Sequence, residues 1–263
     1  MVEQALSTSM TAGERGLAVR RITMQDIPDA LGRGWADFLA MPTHALFLVV
    51  IYPVVGLLLA AATASADIVP LLFPLVAGFA LLGPVAAIGL YEVSRRRERG
   101  EPVTASDAFG VVRSPALPAI VELAALLAII FVAWLVAAMV LERAIIGPTR
   151  AGSIVDFVTG VLTTSDGWTL IVAGHAVGFV FAALSFAIGA VSFPLLLDRG
   201  TDLRTAVMTS VRAIRENPKV MAAWALTIAV LMAAGSVFFF IGLAIVLPVL
   251  GHATWHMYRK LVP

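Results

Sequence analysis

Long apolar segments constrain this chain more than any other feature. Six of them are separated by short polar stretches and cover residues 43–62, 68–91, 117–140, 170–197, 220–235 and 237–255. A helix needs roughly 20 apolar residues to cross about 30 Å of hydrocarbon. Only 13% of the residues are charged, against about 25% in soluble domains. The sequence therefore predicts an all-α polytopic membrane helical bundle with six transmembrane helices.

The last two segments form one apolar stretch that is interrupted by the small residues AAGS at positions 233–236. A single helix over the whole stretch would be much longer than the bilayer is thick. Two short spans with a tight turn between them fit the bilayer better. We therefore expect spans five and six to form a hairpin.

The distribution of basic residues predicts the orientation, because cytoplasmic loops are enriched in Lys and Arg. With the N-terminus inside, the outer loops hold only Arg143 and Arg150, and the cytoplasmic segments hold the other sixteen of the 18 basic residues. The first 40 residues are polar and lack the apolar core of a cleavable signal peptide. We expect both termini to face the cytoplasm.

Four arginines follow span two in the segment GLYEVSRRRERGEP, residues 89–102, and two further basic residues follow span six. A nucleic-acid site is disfavoured, because the formal net charge is only +1 and no aromatic residues alternate with the arginines. The pattern predicts residues that fix the topology and contact anionic lipid at the headgroup level. These residues are Arg95, Arg96, Arg97, Arg99, Arg259 and Lys260.

Similar segments recur along the chain. A segment that ends in proline precedes spans one, three and five, with the sequences ALGRGWADFLAMP, AFGVVRSPALP and AVMTSVRAIRENP. The ends of spans two and six also align, which pairs Gly78 with Gly242, Pro84 with Pro248, Tyr91 with Trp255, Arg95 with Arg259, and Arg96 with Lys260. The end of span four, SFPLLLDRG, matches less closely. These similarities predict three parallel hairpin repeats, each preceded by a cytoplasmic amphipathic helix.

The predicted repeats cover about residues 26–100, 103–200 and 201–263 of a transmembrane domain that comprises residues 23–263, after a flexible cytoplasmic tail, residues 1–22. Helical spacing puts large apolar residues on one side of the segments before spans one and five, namely Ile27, Leu31, Trp35, Phe38 and Leu39, and Leu203, Val207, Val211 and Ile214. We expect these helices to lie in the membrane interface with the apolar side towards lipid. A further amphipathic helix is predicted at residues 153–162, on the outer side.

The segment RITMQDIPDALGRGWADF, the six-span plan and the segment GLYEVSRRRERGE resemble a family of uncharacterised bacterial integral membrane proteins, which is a domain of unknown function. The resemblance covers most of residues 20–260 and implies a location in the bacterial inner membrane. Some relatives carry the label cytochrome c oxidase subunit I. This chain has only four histidines, whereas an oxidase core needs six histidine ligands, so no catalytic residue is carried over.

Histidine supplies the only clustered candidates for metal binding, because the chain has no cysteine. His252 and His256 lie four residues apart, on one face of a helix, near the cytoplasmic end of span six. This polar pair is a candidate ligand pair, and the alternative is an interfacial anchor beside Trp255 and Tyr258. Interfacial anchoring is the favoured interpretation. We therefore predict no metal, no cofactor and no catalytic residue.

Glu122 lies about one turn inside span three and is the main candidate for an intramembrane functional residue. An acid inside the membrane is costly and by default suggests an ion or proton pathway. The alternative, which we favour, is that Glu122 reaches the cytoplasmic headgroups or pairs with an arginine such as Arg113. The span centres hold no opposed carboxylates, which disfavours active ion coupling.

Three functions fit this sequence. The first is a non-catalytic multi-pass protein that is an accessory, assembly or structural component of a larger membrane complex, with a respiratory complex as one candidate. The alternative is a transporter or channel for a small or lipidic substrate, with Glu122 on its pathway. The third is a lipid-dependent envelope protein. We expect membrane lipids and membrane proteins as partners and no nucleic acid; the sequence does not fix the oligomeric state.

Overall fold

The computed structural model describes residues 17–41, 66–79, 83–147, 154–237 and 240–263. These ranges contain eleven α-helices, two 3₁₀ helices and no strand. The all-α prediction is therefore confirmed for the described part of the chain. The predicted first span, residues 43–62, lies outside the described residues.

The helices follow the predicted order of polar and apolar segments. The first half contains α1 (Asp26–Ala40), the 3₁₀ helix η1 (Ala66–Leu71), α2 (Leu72–Phe79), α3 (Gly83–Ala86), α4 (Ile88–Glu98) and the 3₁₀ helix η2 (Ala105–Arg113). The second half contains α5 (Leu117–Ile145), α6 (Ile154–Thr163), α7 (Ser165–Gly189), α8 (Ser192–Arg199), α9 (Leu203–Glu216), α10 (Pro218–Ser236) and α11 (Leu243–Leu261).

Three described segments are long and apolar enough to cross a membrane: Leu117–Ile145, Ser165–Arg199 and Pro218–Ser236. They correspond to predicted spans three, four and five. In its described residues, the segment of span two forms η1, α2, α3 and α4. Its prolines at positions 70, 74 and 84 each lack a backbone N–H donor, which disfavours a regular helix.

A break separates α10 from α11, as the sequence predicts for spans five and six, but it lies after Ser236 and not within residues 233–236. The two helices contact each other. Close to their connection, Gly235 meets Gly242 and Leu243 so closely that a Cβ on either glycine would clash. Phe240 has a φ of 63° in the connection, in the left-handed region. The end of α10 and the start of α11 therefore lie close together in the described residues, and the hairpin of two spans stays a prediction.

The amphipathic helices before spans one and five form as predicted, but Ile27 and Phe38, which we predicted on the lipid-facing side of α1, are buried against the protein. The buried side of α1 carries small residues and two larger ones: Ile27, Ala30, Gly34, Asp37 and Phe38. The buried side of α9 carries Thr205, Ala206, Thr209, Ser210 and Ala213. Trp35 and Leu39 stay exposed on α1, at 46% and 61%. An apolar surface therefore remains available on the side that we assign to lipid.

The chain divides into two compact units. The first comprises residues 1–48, 83–125 and 186–263, and the second comprises residues 49–82 and 126–185. In the second unit, Trp134 lies at the centre of the packing. Its Nε1 donates to the carbonyl of Pro74 at 3.0 Å, and its ring lies against Gly178 and Phe181.

In the first unit, three leading helices (α1, η2 and α9) pack on three exit helices (α4, α8 and α11). Helix η2 contacts α4, α9 contacts α8, and α1 contacts α11. The exit helices also contact one another. Helices η2 and α9 thus each pack on the exit helix that precedes them along the chain. The first leading helix, α1, packs on the last exit helix, α11.

Residues 17–22, which the sequence analysis assigns to the tail, are hydrogen bonded within the first unit. The backbone N–H of Leu17 donates to Thr209 Oγ1 at 2.9 Å, that of Arg20 to the carbonyl of Leu261 at 2.8 Å, and that of Ile22 to Asn217 Oδ1 at 2.8 Å. The packed unit therefore begins before residue 23.

Candidate functional site

The interface between α1 and α11 begins with a close approach of the two backbones. A Cβ on Gly34 would lie 2.6 Å from the backbone N of Ala253. No larger residue fits there without displacing a helix. This contact brings the next turn of α1 against His252 and His256 of α11.

Asp37 of α1 is the centre of a buried polar cluster. Its carboxylate accepts a hydrogen bond from Ser94 of α4 at 2.6 Å and one from His256 Nε2 at 2.8 Å. Arg97 of α4 lies 3.2 Å from the same carboxylate. Asp37 is only 6% exposed, so one acid joins α1 to both α4 and α11. We call Asp37, Ser94, Arg97, His252 and His256 the Asp37 cluster.

The hydrogen-bond chain fixes the proton positions in the Asp37 cluster. Ser94 has one hydroxyl proton and donates it to Asp37, so Ser94 accepts from Nδ1 of His252 at 2.8 Å. Burial alone would raise the pKa of Asp37, but the hydrogen bonds from His256 and Ser94 outweigh burial and lower that pKa below its ordinary value. The carboxylate is therefore a charged acceptor between two helices.

The predicted pair His252 and His256 thus lies together, but the two rings bind Ser94 and Asp37 instead of converging on a common site. No group of three or more His, Cys, Asp or Glu residues in the described ranges is arranged to hold a metal ion. Asp37 and Ser94 are the members that sequence reasoning missed. They are 57 residues apart in the chain, and no local spacing connects them.

A second cluster joins α4 to η2. Glu92 is 3% exposed and lies between two arginines of its own helix, 2.6 Å from Arg95 and 2.7 Å from Arg96. Arg96 also pairs with Asp107 of η2 at 2.8 Å. Asp107 accepts from the backbone N–H and the hydroxyl of Thr104, which caps η2. The capping acid of η2 therefore also attaches it to α4.

A third cluster joins the ends of the exit helices. Tyr258 donates to Asp198 of α8 at 2.7 Å, and Arg259 lies 3.3 Å from the same carboxylate. Arg259 also pairs with Glu98 of α4 at 3.1 Å, and Trp255 donates to Glu98 at 3.1 Å. Burial and the neighbouring Asp198 raise the pKa of Tyr258, which keeps its hydroxyl a donor.

The six basic residues predicted to contact lipid all have carboxylate partners. Besides the pairs above, Arg99 lies 3.8 Å from Asp198, and Lys260 lies 2.8 Å from Asp26 and 2.7 Å from Asp29. Most of their side chains are between 20% and 34% exposed, and Arg99 is 50% exposed. Ion pairing between helices was not visible in the run of charges, because the acids lie on distant segments.

Glu122 lies on the exposed side of α5. The buried side of that helix carries Ile120, Leu123, Leu127, Ile130 and Trp134. The structure therefore does not bring Glu122 together with the histidines or with another acid of the clusters.

A groove of about 1060 Å³ lies beside the second cluster. Residues of α4, η2 and α8 line it, together with the segment 114–116 that leads into α5. Its charged lining residues are Glu92, Arg95, Arg96, Asp107, Arg113, Asp198 and Arg199. Phe109 and Val112 also line it and are 62% and 67% exposed.

Comparison with known proteins gives a match to a family model. Residues 71–198 match the model of a family described as a predicted integral membrane protein, DUF2189. No curated protein and no solved structure matches the chain. Together with the three membrane-length helices, the family match supports a multi-pass helical membrane protein of unknown function.

Proposed function

We propose that this chain is a non-catalytic multi-pass protein of the bacterial inner membrane, acting as an accessory, assembly or structural component of a larger membrane complex. One observation carries the proposal. Among the described side chains suited to chemistry, Asp37 and His256 bind each other across two helices of the same unit, and Glu92 is paired with two arginines of its own helix. Breaking these pairs to react with a substrate would leave buried charges without partners.

The membrane-length helices support an accessory role. Helix α5 exposes an apolar stripe with helical spacing, formed by Val121, Ile129, Val132, Val136 and Val140. Each of these side chains is at least 49% exposed. Helix α10 exposes Leu226 and Val230 in the same way. Such stripes bind lipid tails or the helices of another membrane protein.

We also propose six spans, a threefold repeat and cytoplasmic termini. The ion pairs support the repeat, because Arg96 and Lys260, which the alignment pairs, both bind an acid of the leading helix packed on them. Those acids, Asp107 and Asp29, share one position when the leading helices are aligned on Ala108 and Ala30, and Lys260 also binds Asp26, one turn earlier. The third leading helix has Thr205 at the position of Asp29.

A photocrosslinking experiment in native membranes tests the accessory role. A photoreactive residue is placed at Val132, Val136 or Val140, and the matched control is Leu127, which is fully buried on the same helix. We expect the exposed positions to capture one recurring membrane protein and the control to capture none. Capture of lipid alone at all three positions would contradict the proposal.

The transporter alternative has less support, because Glu122 lies on the exposed side of α5. Flux measurements in liposomes provide the opposing test. A solute flux that depends on the purified chain and is lost on Glu122→Gln would favour the alternative over an accessory role.

A further inference from the structure

The groove beside η2 exists because the second leading helix is short. Helix η2 has nine residues in the 3₁₀ form, whereas α1 has 15 and α9 has 14 in the α form. After Arg113 the chain becomes extended at Ser114, with φ −70° and ψ 136°. In α1 the corresponding later turns carry Gly34 and Asp37 onto neighbouring helices. Beside η2 the equivalent space is an open groove of about 1060 Å³.

The acids of the groove already have basic partners. Glu92 is paired with Arg95 and Arg96, and Arg96 is also paired with Asp107. Asp198 is paired with Arg99 and Arg259, neither of which lines the groove. These three carboxylates are therefore already neutralised and do not neutralise any other basic side chain of the groove.

Two arginines line the groove without an Asp or Glu partner among the described residues. Arg113 is exposed and supplies the unpaired positive charge. Arg199 donates to a backbone oxygen of Pro263 and adds a second guanidinium group. The groove therefore suits a phosphate group, which guanidinium groups bind with paired hydrogen bonds.

The apolar part of the groove points to a lipid as the source of the phosphate. Phe109 and Val112 are large, exposed and on the same short helix as Arg113. Helix α5, which is long and apolar enough to cross a membrane, begins at Leu117, only four residues after Arg113. The groove therefore lies next to the start of a membrane-length helix, where headgroups meet acyl chains.

We propose that this groove binds the headgroup of an anionic phospholipid. Arg113 and Arg199 bind the phosphate, and Phe109 and Val112 contact the glycerol and the first part of the acyl chains. This lipid site goes beyond the accessory role and does not depend on a partner complex, since residues of this chain alone line the groove.

Native mass spectrometry of the purified chain tests the site. The chain in non-ionic detergent is offered equal amounts of phosphatidylglycerol and phosphatidylcholine. We expect preferential retention of phosphatidylglycerol, and Arg113→Gln reduces that retention about fivefold, the loss expected from one arginine at an anionic headgroup. Val112→Glu places a carboxylate in the groove and reduces retention at least as much.

The matched control is Arg215→Gln. Arg215 is an exposed arginine near the end of the third leading helix, as Arg113 is in the second, and it does not line the groove. We expect this variant to retain phosphatidylglycerol like the parent chain. An equal loss for both variants would overturn the site, because it would indicate general charge attraction.

Two further measurements test whether the ligand is a phospholipid or free phosphate, and whether the loss in Arg113→Gln comes from the lost charge or from a disturbed fold. Free inorganic phosphate that displaces the lipid at low concentration would overturn the assignment to a phospholipid. Arg113→Lys keeps the charge but not the paired hydrogen bonds, so we expect retention between that of Arg113→Gln and that of the parent chain. Equal retention of phosphatidylglycerol and phosphatidylcholine by the parent chain would also overturn the proposal.

Discussion

Two interfaces of the first unit use the same contacts and differ in length. In both, an acid in the first turn of a leading helix accepts from a threonine and pairs with a base of an exit helix: Thr23, Asp26 and Lys260 in one, and Thr104, Asp107 and Arg96 in the other. A glycine meets an alanine in each, but Gly34 lies on the leading helix α1, whereas Gly89 lies on the exit helix α4 and meets Ala108 of η2. The longer helix, α1, covers the Asp37 cluster, whereas the shorter η2 leaves a groove. The length of the leading helix thus decides whether the polar groups at the interface are covered by protein or open to a groove.

Removing the charge of Asp37 is the largest expected perturbation of the sealed interface. Asp37→Asn leaves Arg97 and His256 without a buried carboxylate, which we expect to destabilise the fold by about 3–5 kcal/mol. Unfolding in mixed micelles, followed by tryptophan fluorescence, measures the loss. The control Asp29→Asn removes a 42% exposed carboxylate and is expected to cost about 1 kcal/mol or less. Similar small losses for both variants would show that the cluster is not sealed.

Glu92 gives the corresponding test in the open interface. Glu92→Gln removes a buried carboxylate, but its partners Arg95 and Arg96 are 20% and 30% exposed and can bind water instead. We expect a loss of about 1.5–3 kcal/mol, smaller than for Asp37→Asn in the same unfolding assay. A larger loss at Glu92 than at Asp37 would reverse the proposed difference between the interfaces.

Two glycines of α1 test the close approach of α1 to α11, because replacing them with alanine should change the stability in opposite directions. Gly34→Ala places a methyl group against the backbone of Ala253 and is expected to cost about 1–3 kcal/mol. Gly32 has open space around its Cβ position, so Gly32→Ala should stabilise the helix by about 0.5–1 kcal/mol. Stability against denaturant measures both. If the two variants shift it in the same direction, α1 does not pack on α11 through Gly34.

The pH dependence of the Asp26–Lys260 pair is the smallest expected effect. The hydrogen bond from Lys260, followed by that from the backbone of Thr23, lowers the pKa of Asp26 from 3.8 to about 2. The stabilisation is therefore complete above pH 3.8 and is lost as the pH falls through about 2. Because both side chains are about a quarter exposed, we expect about 1 kcal/mol or less.

Comparing the parent chain with Lys260→Met isolates this contribution. Their difference in stability should be constant near neutral pH and disappear in acid. Arg33→Met is the control, because Arg33 is 62% exposed and pairs only with Asp29 of its own helix. A difference that persists below pH 2 would mean that Lys260 stabilises the fold by packing and not by charge.

The sequence predicted those parts of the fold that depend on local pattern. Apolar length predicted the helices containing residues 117–140, 170–197 and 220–235, and helical spacing predicted α1, α6 and α9. The segment of span two contains prolines at positions 70, 74 and 84 and forms several short helices in its described residues. Hydropathy alone does not detect such interruptions, and the span itself stays a prediction.

The candidate site was predicted only in part, for a related reason. The i, i+4 spacing of His252 and His256 is a local signal, and the structure places His256 against Asp37 of α1 and His252 against Ser94 of α4. Their partners Asp37 and Ser94 come from distant segments, and the pairing depends on the backbone approach at Gly34. One signal was available: Asp37 follows Ala30 and Gly34 at helical spacing on a side of small residues.

The central claim is that the first leading helix packs on the last exit helix and completes the first unit. Cysteine crosslinking in native membranes tests it directly, because the chain has no cysteine of its own. Asp29→Cys with Lys260→Cys is treated with a short bismaleimide, and Trp35→Cys with Lys260→Cys is the control from the exposed side of α1. We predict a crosslinked peptide joining α1 to α11 from the first pair and little from the second. Equal crosslinking of both pairs, or none from the first, would contradict the account.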